Sequence, residues 1–326
     1  MPLILSETDV RIVLSMDDLI PAMRAALIQF STGHVMQPLR TVVEVGPQKA
    51  FFGVMPAHIP DPPALGAKLV TVYASNIHAG LPSHLASIVL LDPATGELLA
   101  LMDGRYITEA RTAAVSAVAT DLLARENASS LAILGSGVQA RSHLDAIRRV
   151  RTLAEVRVWS PNADRCADFV REMRPRTRLP IVAAESAREA VLGADIIVLV
   201  TASKEPVVES DWIGDGTHVC AVGACRPTQR ETTTAVMRRA RLFVDSRAGA
   251  LAEAGDIVLP IAEGAFGPDH IVGELGELAA GRLRGRTSPS EVTMFKSLGM
   301  AVEDVAAAHL AYAKASERGL GRGFVL

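Results

Sequence analysis

Aromatic residues make up only 4% of this 326-residue chain, so its core has to be aliphatic. The same scarcity leaves little to stack on unpaired bases, and a net charge of −3 offers no attraction for a phosphate backbone. Nucleic acid is therefore not an expected partner. Long apolar runs are missing too. The stretches 87–91 and 196–200 fall far short of the roughly 18–20 residues that cross a bilayer. The opening MPLILSETDV carries no basic leader, so no signal peptide is expected. Cys166, Cys220 and Cys225 form no CxxC pair and no even-numbered disulfide framework, which favours a reducing cytoplasm. The eight histidines include no HExxH and no zinc-like Cys/His spacing, so no metal is expected. GxSxG is also absent.

What is present is a hydrophobic fraction of 49% against 21% charged residues, ample for a buried core. At about 150 residues per domain, the length predicts two domains. Apolar residues fall into many short segments, as in a parallel sheet covered on both faces. The first hundred residues read as α+β. Ser15 caps a predicted helix over 15–30, and strands are predicted over 39–45, 51–55, 66–73, 87–92 and 98–102. Thr108 reads as the N-cap of a helix reaching about Arg125.

Beyond it the rhythm becomes strand-helix alternation, with strands predicted over 131–134, 155–159, 180–183, 196–200, 218–222 and 241–245. A last helix is predicted from near Ser297 to about Arg318, stopped by Gly319. With no strand expected after it, this helix is expected to return to the N-terminal part. The fold class is thus α/β, a Rossmann-type doubly wound parallel sheet (113–298) inserted into an α+β domain (1–112 plus 299–326).

The segment 131–134 runs directly into Gly135-Ser136-Gly137-Val138-Gln139-Ala140 and then a helical pattern. The first glycine permits the tight turn, and the second lets backbone approach a pyrophosphate. Ala140 permits close helix-strand packing, and the helix N-terminus offers free N–H groups to phosphate. Strand before, helix after and continuing alternation separate this from an ordinary glycine turn. At the end of the next strand an NAD-binding fold would place a carboxylate on the ribose, but here stand Ser160, Pro161 and Asn162. Ser160, Asn162 and Arg165 suit a 2′-phosphate, which favours NADPH over NADH. Arg165 also fits a plain solvated helix residue.

Three cations sit oddly. Arg111 falls in the first turn of the helix predicted from Thr108, where the macrodipole opposes it. Lys68 alternates onto one strand face with Val70 and Val72, which marks an edge, an outward-reaching side chain or a cavity wall. Arg40 shows the same strand-embedded pattern. Each alone also fits a surface cation; together, beside a dinucleotide motif, they point to a small carboxylate ligand. His84 fits either an active-site residue or polar loop surface. Asp245, Glu253 and Asp256 read as caps or solvated groups.

Several segments in order then resemble the ornithine cyclodeaminase/mu-crystallin family: GAKLVTVYASN (66–76), GLPSHLASIVLLDPATGELLALMDG (80–104), ITEARTAAVSAVAT (107–120), LAILGSGVQA (131–140) and MFKSLGMAVEDVAAA (294–308). The resemblance implies a homodimer, with the α+β domain serving substrate binding and dimerisation. It implies that Arg40, Lys68 and Arg111 face a substrate carboxylate. It also implies that Ser83, Arg111, the 135–139 loop, Ser160, Asn162, Thr201, Val222, Lys296, Ser297 and Leu298 contact the cofactor. One departure matters. Where cyclodeaminases resemble GGDCPGKTE, this chain reads Val222-Gly-Ala-Cys-Arg-Pro-Thr-Gln-Arg-Glu231, with Ala224 in place of the Asp. A methyl group cannot bind an ammonium.

The form resembles the ketimine reductase branch and implies NAD(P)H-dependent reduction of cyclic imino acids such as Δ1-pyrroline-2-carboxylate or Δ1-piperideine-2-carboxylate. Lys68 would then hold the carboxylate or supply a proton. The competing functions are an ornithine cyclodeaminase, an alanine-dehydrogenase-type enzyme and a non-catalytic NADPH-dependent binding protein.

Overall fold

The computed structural model describes residues 1–47 and 50–325. The chain divides into two compact units, Met1–Arg111 with Gly299–Leu326, and Thr112–Leu298. The first unit opens with β1 (Leu3–Leu5), α1 (Glu7–Val13) and α2 (Met16–Ser31). It continues through β2 (Thr41–Val45), β3 (Ala50–Pro60), β4 (Pro63–Val72), β5 (His84–Leu91) and β6 (Leu98–Asp103). Ser15 caps α2 by accepting the Asp18 N–H, and Leu19, Ile20, Met23 and Leu27 bury the predicted face. The helix α1 had no counterpart in the apolar pattern. Its signal is a capping box, in which Ser6 and Asp9 each accept the other's backbone N–H.

The helix α3 (Arg105–Leu123) begins before Thr108, so Thr108 is not its cap. The Asp103 carboxylate accepts the Tyr106 N–H instead, and the Thr108 hydroxyl donates back to the Gly104 carbonyl. Arg111 therefore lies beyond the first turn, where the dipole opposes a cation only weakly. Arg40 precedes β2 and is not strand-embedded.

The second unit alternates as its pattern predicts. It runs β7 (Ser130–Leu134), α4 (Val138–Ile147), β8 (Glu155–Trp159), α5 (Ala163–Thr177), β9 (Ile181–Ala183), α6 (Ala187–Val191), β10 (Ile196–Leu199) and β11 (His218–Ala221). Then come α7 (Thr234–Arg239), β12 (Arg241–Val244), α8 (Arg247–Glu253), α9 (Gly255–Ala262), β13 (Ile271–Glu274), α10 (Leu275–Ala279) and β14 (Thr293–Lys296). The chain ends in α11 (Ala301–Glu317) and β15 (Arg322–Gly323).

The strand β14 overturns the predicted helix start near Ser297, because residues 293–296 pair in the sheet and the helix waits until Ala301. A strand does follow the helix: β15 pairs antiparallel with β1, Leu3 opposite Gly323. Two residues carry no period for a sequence pattern to show.

The first unit's described strands form one sheet in the order β15-β1-β6-β5-β4-β3-β2, antiparallel except for the β1/β6 pair. The second unit's sheet is parallel throughout, in the order β13-β12-β14-β11-β10-β7-β8-β9. Every residue of β7, β10, β11 and β14 is buried. This is where the chain's Val, Ile, Leu and Ala are spent, each fully buried Val, Leu or Ile contributing about 1.5–3 kcal/mol. Chain order reverses at β7, whose neighbours are β10 and β8, and ligands of such sheets bind outside the strand carboxyl ends at that point. No helix among the described residues is long and apolar enough to cross a membrane.

Candidate functional site

The first unit buries a cluster of charges. Lys68 stands on β4 with β3 on one side and β5 on the other, opposite Met55 and Ile88, and is 2% exposed. It is neither an edge residue nor an outward-reaching one. Its ammonium forms an ion pair with Asp304 at 2.6 Å and lies 3.5 Å from the Thr108 hydroxyl. Arg111, equally buried, donates from Nε to Asp304 at 2.9 Å and from Nη1 to Glu303 at 2.5 Å.

Both carboxylates are fully buried in the first turn of α11, where the helix dipole favours negative charge. That helix has no side-chain cap of its own, and Gln37 accepts the Val302 N–H at 2.7 Å. Arg40 donates to the Gly299 carbonyl at 3.1 Å. Gly299 has φ +80°, and a Cβ there would collide with the Arg111 guanidinium, so only glycine suits the position.

These groups tune one another. Burial is the largest influence on Lys68, and the Arg111 and Arg40 charges add to it. Asp304 opposes them, and the ammonium is pulled down to about 8. Burial alone would raise Asp304, but Arg111 and Lys68 hold it below its ordinary value. His84 opens β5 and alternates onto the face shared by Ile88 and its partner Lys68, so it is not a free loop residue. Burial first, then the charges of Lys68 and Arg111, push its imidazole down to about 4, which leaves it neutral near pH 7. The arrangement can receive an anion and present an ammonium that releases its proton near neutral pH. Glu303 and Asp304 were missed at the sequence level. Their signal was two adjacent acids inside the otherwise apolar start of α11.

The second unit carries the glycine turn. Gly135 follows β7 with φ +113°, and a Cβ there would stand 2.5 Å from the Val200 carbonyl oxygen. Gly137 is the N-cap of α4 and supplies no side chain, while Val138 beside it is exposed, so the helix's leading N–H groups have no side-chain cap. That open, positively polarised helix start fits a dinucleotide pyrophosphate. The Ser136 and Ser160 hydroxyls lie 2.9 Å apart, and Asn162 caps α5 by accepting the Arg165 N–H. Arg165 is exposed, and among the described residues its guanidinium has no hydrogen-bond or ion-pair partner. Gln139 offers its carbonyl to the ring of buried His143 at 2.8 Å.

The remaining predicted cofactor contacts are more constrained than their sequence positions show. The Thr201 hydroxyl donates to Glu231 at 2.7 Å. Val222, Ser297 and Leu298 donate their N–H groups to Leu199, Ala221 and the Asp245 carboxylate. Lys296 is fully buried, paired with Asp256 at 3.0 Å, and donates to the Ala224 carbonyl at 2.6 Å. Burial would lower Lys296, but Asp256, Cys225 and Glu231 raise it above its ordinary value. Ser83 belongs to the first unit, where its carbonyl accepts the Tyr73 N–H at 2.8 Å. Asp245 and Asp256 correct the expectation of solvated groups. Both are fully buried, because backbone N–H groups and Lys296 replace the water they lose.

A doubly wound parallel unit with this glycine turn has the architecture of the dinucleotide-binding folds. More narrowly, the chain belongs to the ornithine cyclodeaminase/mu-crystallin family, whose model matches residues 1–319. It is 45% identical to the ketimine reductase mu-crystallin of Mus musculus over 90% of this chain and 91% of that one. It is 36% identical to a Δ1-pyrroline-2-carboxylate reductase of Bacillus cereus over 98% of each chain. A solved Δ1-pyrroline-2-carboxylate reductase from Thermococcus litoralis, in complex with NADH and L-proline, superposes with a TM-score of 0.97. It is 42% identical, and the match covers 99% of this chain and 100% of that one.

Proposed function

We propose that this protein is an NAD(P)H-dependent reductase of cyclic ketimine carboxylates, converting Δ1-pyrroline-2-carboxylate or Δ1-piperideine-2-carboxylate to L-proline or L-pipecolate. Buried Lys68 and Arg111 around Asp304 and Glu303, with half-buried Arg40 on the Gly299 carbonyl, carry this reading. Arg40 and Arg111 hold the substrate carboxylate, and their fixed geometry limits how the C=N bond can lie. Lys68, an ammonium below about pH 8, donates the proton that the imine nitrogen needs. The reduced nicotinamide, when bound, supplies the hydride. The residues 135–139 hold its pyrophosphate, with Ser160, Asn162, Thr201, Val222 and residues 296–298 completing that side.

NADPH is the favoured coenzyme. No carboxylate stands at residues 160–163, and Arg165 lies in the first turn of α5, its backbone N–H on Asn162. NADH is the competitor, since the Thermococcus litoralis enzyme was solved with it. A cyclodeaminase would need an acceptor for a distal amine. Ala224 is fully buried and its carbonyl is taken by Lys296. A second copy of the chain is the expected partner. The strand β2 is a sheet edge, and Met36, Leu39, Val42 and Val43 around it are exposed. The three free cysteines fit a reducing cytoplasm.

The test is an initial-rate panel of the two cyclic imines, alanine, pyruvate with ammonia, and ornithine, each with both coenzymes. Consumption of NADPH with a cyclic imine, faster than of NADH, is the expected result. Proline formed from ornithine without net redox change would overturn it.

A further inference from the structure

We propose that buried carboxylates at the strand carboxyl ends of the second unit make it bind the oxidised, cationic nicotinamide cofactor more tightly than the reduced, neutral one. This rests on the cofactor reading above. Among the described Asp, Glu, Lys and Arg residues of this unit, only Glu231, Asp245, Asp256 and Lys296 are buried, three acids against one ammonium.

Their positions converge. Lys296 ends β14 and Asp245 follows β12. The Glu231 oxygens take the Thr201 N–H and hydroxyl just after β10 at 2.8 and 2.7 Å, and the Gly223 N–H just after β11 at 2.6 Å. Asp256, in the first turn of α9, takes the Glu231 N–H, the Thr232 N–H and the Thr232 hydroxyl at 2.8–2.9 Å. The group therefore gathers on the side of the sheet where open parallel folds bind their ligands.

Glu231 is bonded as a carboxylate. Burial pushes Glu231 up from its ordinary range, with Lys296 opposing. Yet each hydrogen bond at its two oxygens is one it accepts from an N–H or O–H, a set only the ionised group receives in full. The Asp245 oxygens likewise accept the Ser246 and Leu298 N–H groups. Fixed charge away from water acts over longer distances than at a surface. The two redox forms of the cofactor differ by one positive charge on the ring, so an excess of buried negative charge separates their affinities. The same bias favours giving up the hydride.

The experiment is calorimetric titration of the full chain with NADP+, NADPH and ADP-ribose, in the wild type, Glu231→Gln and Lys296→Gln. ADP-ribose lacks the nicotinamide and reads the integrity of the glycine turn. Removing one acid should lower the ratio of oxidised to reduced affinity about three- to tenfold, and removing the ammonium should raise it by a similar factor. ADP-ribose affinity should stay within about twofold in Glu231→Gln. Opposite signs are the signature, because a loosened fold would shift both variants in the same direction. Ratios that do not move, or move together, overturn the proposal. If one variant fails to fold, the sign of the shift in the other decides. If the wild type binds none of the three ligands, the cofactor reading fails and this inference with it.

Discussion

Lys68 and Lys296 each meet an aspartate, Asp304 at 2.6 Å and Asp256 at 3.0 Å, and each pair is buried within its own unit. Burial is the largest influence on both, and it lowers both. Their surroundings then differ in sign. Around Lys68 stand two guanidiniums, which reinforce burial, and the ammonium falls to about 8. Around Lys296 stand Asp256, Cys225 and Glu231, which outweigh burial and lift it. The same pair of side chains thus becomes a releasable proton in one unit and a permanently charged tie in the other. A buried ion pair is identified by its third and fourth neighbours.

The sharpest way to break the contrast is Arg111→Ala. It strips two buried carboxylates of their guanidinium, which should cost about 3–5 kcal/mol of stability in a denaturant titration. Imine reduction should fall by roughly 100-fold or more. Arg111→Lys should not restore it, since one ammonium cannot serve Glu303 and Asp304 from two separate nitrogens.

Lys68→Met comes next, with a loss of about 100-fold in kcat/KM if Lys68 is the proton donor. The wild type should keep its rate below about pH 8 and lose it above, as the ammonium deprotonates. A pH profile of the variant should lack that alkaline limb, and a limb that persists would remove Lys68 from the role. His84, lowered to about 4, should add no limb between pH 6 and 8.

The smallest effect is expected from Arg40→Ala. Arg40 is half-buried and donates to the neutral Gly299 carbonyl, so stability should change by about 1 kcal/mol. The imino-acid KM should still rise about tenfold, with kcat much less affected.

Much of the fold was legible because it rests on local periodicity. The strands around 131–134, 155–159 and 196–200, the Ser15 cap and the glycine turn all emerge within a residue or two of the expected places. What escaped was either too short to show a period, as the two-residue β15 is, or displaced by a local hydrogen bond, such as the start of α3 at Asp103. In the site, Lys68 was visible as a charge on an apolar strand face, whereas Arg111 and Arg40 were singled out on a helix start and a strand that the structure places elsewhere. The carboxylate partners were not visible, because Asp304 lies 193 residues from Arg111 along the chain.

The amino-acid sequence by itself determined the type of most elements, the dinucleotide turn and the family, since each is written in neighbouring residues or in segments kept in order. Only the tertiary structure decided what the charges do. Lys68 is lowered to about 8 and Lys296 is raised because folding removes both from water and then sets different distant charges beside them. Asp245 and Asp256, which look like surface acids in the sequence, become buried carboxylates for the same reason: the groups that replace their water come from other parts of the chain.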